Sequence, residues 1–207
     1  MRAFNPTRKP YLAAEPRKLI SAMFLALVVF SIPYTAAVHA QDAPAKSAAD
    51  VDVALLLSQL RKADAQDADR IARQIKGTWS RSGSASADLL LKRGRDALRA
   101  KQPKVAIEHL TALTDHAPDF AEGWHMRASA FYQEKLYGPA VEDLSRVLAL
   151  NPNHFEAIQG LGAIFEQLGD KARAYEVYEQ VLAIHPHHAD VLEAMERLET
   201  TVKGPAL

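Results

Sequence analysis

The chain contains no cysteine among its 207 residues. This absence excludes a disulfide framework, catalysis by a thiol, zinc bound by cysteine, and a lipid attached to an N-terminal cysteine. It does not identify a redox compartment, because an exported protein needs no disulfide.

Motifs for catalysis are also lacking. No phosphate-binding glycine loop, nucleophile elbow or His-Glu-x-x-His sequence is present, and Gly160 and Gly162 belong to a helical pattern. The acidic residues Glu142, Asp143 and Asp170 are more typical of a solvated helix face than of a catalytic pair. The sequence therefore predicts no enzymatic activity and no cofactor.

The N-terminal segment has the pattern of an export signal. An apolar run covers residues 19–30, interrupted only by Ser21, and Val38-His39-Ala40 suits signal peptidase. The basic residues before the run are Arg2, Arg8, Lys9, Arg17 and Lys18. We predict a signal peptide over 1–40, cleaved after Ala40, and a periplasmic protein. The alternative is an uncleaved N-terminal anchor, which would be the chain's attachment to the cytoplasmic membrane.

The net charge argues against nucleic acid as a partner. The chain has 25 basic and 25 acidic residues. Loss of residues 1–40 removes five bases and one acid, which leaves 20 bases against 24 acids and a net charge of −4. Nucleic-acid binding favours clustered positive charge, and no stripe of lysine and arginine with interleaved aromatics is present.

An internal repeat of 34 residues dominates the remaining sequence. Four ladders share this period: Pro118, Pro152 and Pro186; Ala106, Ala140 and Ala174; Leu110, Leu144 and Tyr178; and Leu113, Val147 and Val181. A period of this length is typical of a repeated helix–turn–helix unit. Each proline ends the helix before it, because it lacks an amide donor and disfavours helix in the preceding residue.

The first helix of each unit carries a recognisable motif. The pattern is a large residue, two spacers, Leu-Gly, two spacers and an aromatic. The three matches are Trp124, Arg127-Ala128 and Phe131; Ile158, Leu161-Gly162 and Phe165; and, most weakly, Leu90, Arg93-Gly94 and Ala97. The chain therefore resembles the tetratricopeptide-repeat (TPR) family. Segments 79–84, 88–91 and 121–124 are similar to periplasmic TPR proteins of alphaproteobacteria.

The resemblance implies an all-α solenoid with three clear repeats, a divergent N-terminal helical hairpin and a C-terminal capping helix. The predicted segments are a tether at 41–50, the hairpin at 51–80, a Ser/Gly connector at 81–86, repeats at 87–120, 121–154 and 155–188, the capping helix at 189–203 and a tail at 204–207. The hairpin is expected to cap the first repeat. The capping helix is expected to bury Val191, Leu192, Met195, Leu198 and Val202. Ser84 or Ser86 is expected to cap the helix after the connector.

In TPR proteins the first helices line a concave groove that binds peptides. Carried over to this chain, the groove residues are Leu91, Arg95, Arg99, Glu122, His125, Ser129, Tyr132, Gln133, Glu156, Gln159 and Glu166. Basic residues lie at one end and acidic residues at the other, so a peptide could be oriented by charge with Tyr132 as its anchor. Isolated charges on such a face are also typical of ordinary solvation.

One TPR subfamily is excluded by this comparison. Proteins that clamp the acidic tail of chaperones use a Lys/Asn/Asn/Lys/Arg set. The corresponding places here hold Leu91, Arg95, Met126, Glu156 and Gly160, none of which matches, and Glu156 would repel a carboxylate.

The preferred function is a periplasmic adaptor or scaffold that binds an unknown protein or peptide through the groove, in envelope assembly or secretion. The alternative is a carrier of a metal or small ligand that uses the turn His185 to His188. The candidate ligands are His154, His185, His187 and His188, although polar residues are expected in such turns, so no metal site is predicted. A third alternative is self-association, because incompletely covered solenoids can stack.

Overall fold

A computed structural model describes residues 48–202, which form nine helices in that range. The helices are α1 (Ala48–Leu60), α2 (Ala65–Trp79), α3 (Ala85–Arg99), α4 (Pro103–His116), α5 (Ala121–Gln133), α6 (Tyr137–Leu150), α7 (Phe155–Gln167), α8 (Lys171–Ile184) and α9 (Ala189–Val202). None of these helices is long and apolar enough to cross a membrane. The predicted signal peptide, most of the tether and the tail lie outside the described residues.

Helices α3–α4, α5–α6 and α7–α8 are three successive antiparallel hairpins, which confirms the predicted all-α solenoid. Small residues let the helices of a hairpin approach closely. A Cβ built on Gly94 would lie 2.5 Å from Leu110 of α4, and one built on Gly162 would overlap the ring of Tyr178 of α8. In the middle hairpin, Ala128 has this role and is buried.

The turns inside the three hairpins share one backbone conformation. Lys101, Lys135 and Gly169 are spaced 34 residues apart and have φ angles of 56°, 59° and 81°. The residue after each turn donates its amide to a carbonyl five positions earlier, as in the bond from Leu136 N to Phe131 O. This is the left-handed ending that closes many helices.

Side chains begin several of the helices. Ser84 accepts a hydrogen bond from the amide of Ala87, which confirms one of the two predicted caps. Asp64 does the same for α2 and Asp170 for α8. These caps satisfy amides that have no partner inside their helices.

Helix α9 covers α8 at the C-terminal end, but its buried face is rotated from the predicted one. Val191, Ala194 and Leu198 are buried, whereas Leu192 is 43% exposed and Val202 is 37% exposed. The predicted stripe of five large residues is wider than the strip of α9 that meets α8. The small Ala194 fits that contact, so Leu192 is left on the solvent side.

The hairpin α1–α2 does not cap the first repeat as predicted. Its buried residues Leu57, Leu60, Ile71 and Ile75 belong to the same apolar cluster as Phe155 and the core of α7–α9. The core of the first repeat, α3–α4, is a separate cluster. An apolar stripe must be buried somewhere, and here the third repeat supplies the surface.

Polar and aromatic contacts join the hairpin to the start of α7. Lys76 Nζ lies 3.0 Å from Glu156 Oε1, and the ring of Trp79 stacks on the imidazole of His154. The hydroxyl of Ser80, which follows α2, accepts a hydrogen bond from Arg95 of α3. The end of α2 therefore contacts Glu156 and Arg95, which were predicted to line the groove.

Candidate binding groove

A cavity of about 390 Å³ lies between α5 and α7. Six of the predicted groove residues line it: His125, Ser129, Tyr132, Gln133, Glu156 and Gln159. The remaining lining residues are small or apolar: Ala128, Leu144, Gly160, Ala163 and Ile164. The structure thus brings together six of the predicted residues of the second and third repeats, but not Glu122 or Glu166.

Helical spacing explains why these residues share one surface. His125, Ser129 and Tyr132 follow one another at intervals of four and three residues, so they lie on one face of α5. Glu156, Gln159 and Ala163 do the same on α7. Gly160 keeps the floor open, because a Cβ there would lie 3.3 Å from Leu144.

Tyr132 stands at the rim of the cavity. It is partly buried, and its ring centroid lies 5.7 Å from that of Tyr137. Burial raises the pKa of its hydroxyl, and the nearby Tyr137 and Glu166 raise it further. The hydroxyl therefore stays protonated at neutral pH and can donate a hydrogen bond.

Five predicted groove residues do not line the cavity: Leu91, Arg95, Arg99, Glu122 and Glu166. Leu91 is only 2% exposed and belongs to the core of the first repeat, so its assignment to the groove is wrong. Arg99 is exposed and pairs with Asp96 in its own helix. Glu166 pairs with Arg197 of α9 at 2.8 Å and accepts a hydrogen bond from Tyr178.

Glu122 is not a solvated groove charge, because its side chain is buried beneath the surface. One carboxylate oxygen, Oε1, accepts a hydrogen bond from Arg95. The other, Oε2, lies 3.4 Å from His154 Nε2 and 3.5 Å from His125 Nδ1. Burial opposes ionisation, but the two histidines overcome it and lower the pKa of Glu122. The carboxylate is therefore charged at neutral pH.

The pKa values of the two histidines beside Glu122 are shifted in opposite directions. His154 Nδ1 accepts a hydrogen bond from the amide of Ala157 at 3.2 Å, so its single proton is on Nε2, facing Glu122. Burial lowers the pKa of His154, and the bond to Glu122 only partly offsets this. For His125, burial is outweighed by Glu122, which raises its pKa. The 3.5 Å contact of His125 Nδ1 lacks hydrogen-bond geometry.

The histidines of the turn after α8 do not gather with His154 into a metal site. His185 is buried with both ring nitrogens unpaired, and its ring meets Phe155 and His188 edge-on. His187 is exposed. Within residues 48–202, the group of three that could hold a metal is Glu122, His125 and His154.

Sequence reasoning missed the contribution of α2 to this surface. Lys76 and Trp79 cover part of α7, and only the apolar stripe of α2 indicated that the helix needed a partner surface. Nothing in the repeat period places a preceding helix against the third repeat.

Comparison with known proteins identifies the family. Two family models described as tetratricopeptide repeat match residues 91–153 and 131–198. A TPR repeat-containing protein of Rhizobium etli is 31% identical over 169 residues, which covers 78% of this chain and 83% of that protein. The chain belongs to the tetratricopeptide-repeat family. This is a family of protein-interaction modules.

Solved TPR structures share the fold. The first TPR domain of Spaghetti (RPAP3), bound to the HSP90 peptide SRMEEVD, matches with a TM-score of 0.55 at 24% identity, covering 58% of this chain and 95% of that one. MamA matches with a TM-score of 0.54 at 21% identity, covering 77% of this chain and 86% of that one.

Proposed function

We propose that this TPR protein is a periplasmic adaptor that binds an extended segment of another protein in the cavity between α5 and α7. The supporting observation is the chemistry of the lining. Ala128, Leu144 and Ile164 form an apolar floor, and Ser129 and Gln159 stand among the polar groups of the wall. A site of this kind buries an apolar side chain and orients it with a few polar contacts.

The charged and polar groups around the cavity indicate which kind of peptide segment it can bind. Glu156 is paired with Lys76 at 3.0 Å, so the wall carries a compensated charge. The amides of Gln133 and Gln159 can hydrogen-bond a peptide backbone as donors and acceptors. These features favour an uncharged segment with one apolar anchor. They disfavour an acidic chain end, because no lysine or arginine is among the lining residues to bind its carboxylates.

Site-specific crosslinking in cells tests the proposed groove. A photoreactive amino acid replaces Gln133, which lines the cavity, and in a matched control it replaces Gln180, which is exposed on α8. We expect a discrete crosslinked protein from position 133 and none from position 180. Equal crosslinking from the two positions, or none from position 133, contradicts binding in this cavity.

Substitution of Tyr132 separates binding from folding. Tyr132→Ala removes the aromatic rim and should weaken capture of the crosslinked protein about tenfold or more, as for a typical hot spot. Tyr132→Phe keeps the ring and should retain most of the binding. Tyr132→Phe should melt close to the wild type, whereas Tyr132→Ala should lose some stability because the ring packs against the neighbouring apolar core, so capture is compared at equal concentrations of folded protein. Unchanged capture by Tyr132→Ala would show that Tyr132 does not contribute to binding.

Export and a role in envelope assembly or secretion are part of the same proposal. They are supported by the basic and apolar pattern of residues 1–40 and by the cleavage sequence at Val38-His39-Ala40. N-terminal sequencing of the protein from a periplasmic fraction should begin at Gln41. Recovery in the cytoplasm at full length would contradict export, and recovery at full length in the membrane would favour the anchor.

A further inference from the structure

We infer that Glu122, His125 and His154 form a binding site for a divalent transition metal ion, with zinc as the ion that suits the donor set best. All three side chains are buried, and their ligand atoms lie within 4.8 Å of one another. Two imidazoles and a carboxylate are a donor set that zinc accepts in proteins. The site shares His125 with the lining of the peptide cavity, and it does not use the His185 to His188 turn.

The two spacings between the Glu122 carboxylate and the imidazoles fit a tetrahedral ion. Zinc bonds to nitrogen and oxygen of about 2.0–2.2 Å place the ligand atoms of a tetrahedron about 3.3–3.5 Å apart. Glu122 Oε2 lies 3.5 Å from His125 Nδ1 and 3.4 Å from His154 Nε2. The carboxylate oxygen is thus already at ligand-to-ligand distance from both imidazole nitrogens.

The side-chain partners leave suitable atoms available. Arg95 holds Oε1 of Glu122, which orients the carboxylate and leaves Oε2 directed at the histidines. His125 Nδ1 is buried without a hydrogen-bond partner. A buried unpaired polar atom is costly to leave unsatisfied, and coordination of an ion would satisfy it.

Metal binding would replace one hydrogen bond of His154 with a metal–ligand bond. Its Nε2 carries the imidazole proton in the metal-free protein, because Nδ1 accepts from Ala157. Coordination through Nε2 moves that proton to Nδ1, so the hydrogen bond from Ala157 is given up. Arg95 and Lys76 add positive charge nearby. We therefore expect affinity in the micromolar rather than the nanomolar range.

The cavity between α5 and α7 offers an entry route. His125 and Glu156 line it, and the ring of His125 also meets that of His154, with centroids 4.7 Å apart. Three protein ligands leave a fourth position on a tetrahedral ion for water or a ligand. An ion bound through His125 would lie at the edge of the peptide cavity.

Titration of the untagged, metal-free protein with zinc chloride and cobalt chloride tests the inference. Calorimetry should give one zinc equivalent, and cobalt should give the intense visible absorption of a tetrahedral site. His125→Gln should weaken the affinity for zinc and for cobalt at least tenfold. His187→Gln, at an exposed histidine, should leave both affinities unchanged. Absence of binding at micromolar metal, or loss of binding in His187→Gln with retention in His125→Gln, would overturn the site.

A measurement on the wild-type protein covers the case in which a variant fails to fold. Imidazole nitrogen resonances of His125 and His154 should shift when zinc is added, while those of His109, His116 and His187 stay in place. Shifts confined to His185 and His188 would place the ion in the other turn and contradict the inference. Because no peptide is present, these results are independent of the proposed groove.

Discussion

The indole of Trp79 stacks on the imidazole of His154, with ring centroids 4.5 Å apart and planes inclined by 18°. Trp79 ends α2, and His154 precedes α7, so the stack joins the N-terminal hairpin to the third repeat. Phe155 adds a second aromatic contact to Trp79 at 5.2 Å. The hairpin therefore contributes to the same apolar core as the repeat that it covers.

Trp79→Ala should loosen the hairpin from the third repeat. Loss of the indole removes the contacts to His154 and Phe155, and we expect destabilisation of about 3 kcal/mol, the lower end for an aromatic residue in a core. Urea unfolding measures this change. Hydrogen exchange should become faster in 65–79 and remain slow in 103–116, which belongs to the separate core of the first repeat.

A neighbouring substitution provides the control. Thr78 donates its hydroxyl to the carbonyl of Gln74 in its own helix. Thr78→Ala should therefore change stability by less than about 0.5 kcal/mol. Equal destabilisation by the two substitutions would show that α2 is held by helix formation and not by the aromatic stack.

The three hairpins could be predicted from the sequence because their determinants are local and repeated. Each unit places Gly or Ala where two helices cross and a proline after its second helix, as at Gly162 and Pro186. The place of α1–α2 depends instead on which distant surface is left uncovered. The apolar stripe that contains Ile71 and Ile75 predicts that one face of the helix is buried, but it does not indicate which repeat covers that face.

The candidate site was predictable only in part for a similar reason. Surface residues such as Gln133 and Gln159 follow from helical spacing within one repeat. Burial of Glu122 follows from Arg95, which belongs to the first repeat, and from His154, which lies 32 residues away at the end of the same repeat. A glutamate in the first turn of a helix is typical of a solvated, dipole-stabilising position, so its burial had no signal in the sequence.

Lys135→Gly should stabilise the protein. Lys135 has a φ of 59°, a conformation that costs a side chain with a Cβ about 1–2 kcal/mol, and Gly169 holds the equivalent place in the third hairpin. After the entropy that glycine adds to the unfolded chain, we expect a gain of about 0.5–1 kcal/mol in the free energy of unfolding. The reverse substitution, Gly169→Lys, should lose a similar amount. Thermal and urea unfolding of both variants measure these two changes. A loss of stability in Lys135→Gly would contradict the prediction that the left-handed conformation is strained at this lysine.

Gly162→Ala and Gly77→Ala should have opposite effects on stability. A Cβ on Gly162 would approach Tyr178 Cδ1 to 2.7 Å, and the tyrosine is buried, so the hairpin must open. We expect a loss of about 1–3 kcal/mol from this overpacking. A Cβ on Gly77 meets nothing within 4 Å in α2, so alanine should add about 0.5–1 kcal/mol through helix propensity. Urea unfolding measures the free energy of unfolding of the two variants. Destabilisation by Gly77→Ala as well as by Gly162→Ala would show that α2 has no room for a side chain at Gly77.

Acid should destabilise the protein through His185. Burial, together with the neighbouring His188, lowers the pKa of His185 to about 4. The unfolded chain takes up a proton on this residue near pH 6.5, whereas the folded protein does not until near pH 4. The stability contributed by neutral His185 is therefore present above pH 6.5 and is lost as the pH falls towards 4, by up to about 1.4 kcal/mol per pH unit.

The pKa values of His154 and His188 are lowered as well, so they add to the acid sensitivity of the wild type. The difference in pH dependence between the wild type and His185→Gln therefore isolates the contribution of His185. Urea unfolding from pH 7 to pH 4 should give a shallower pH dependence for His185→Gln than for wild type, and an unchanged one for His187→Gln. Identical slopes for wild type and His185→Gln would mean that His185 titrates in the folded protein as it does in the unfolded chain.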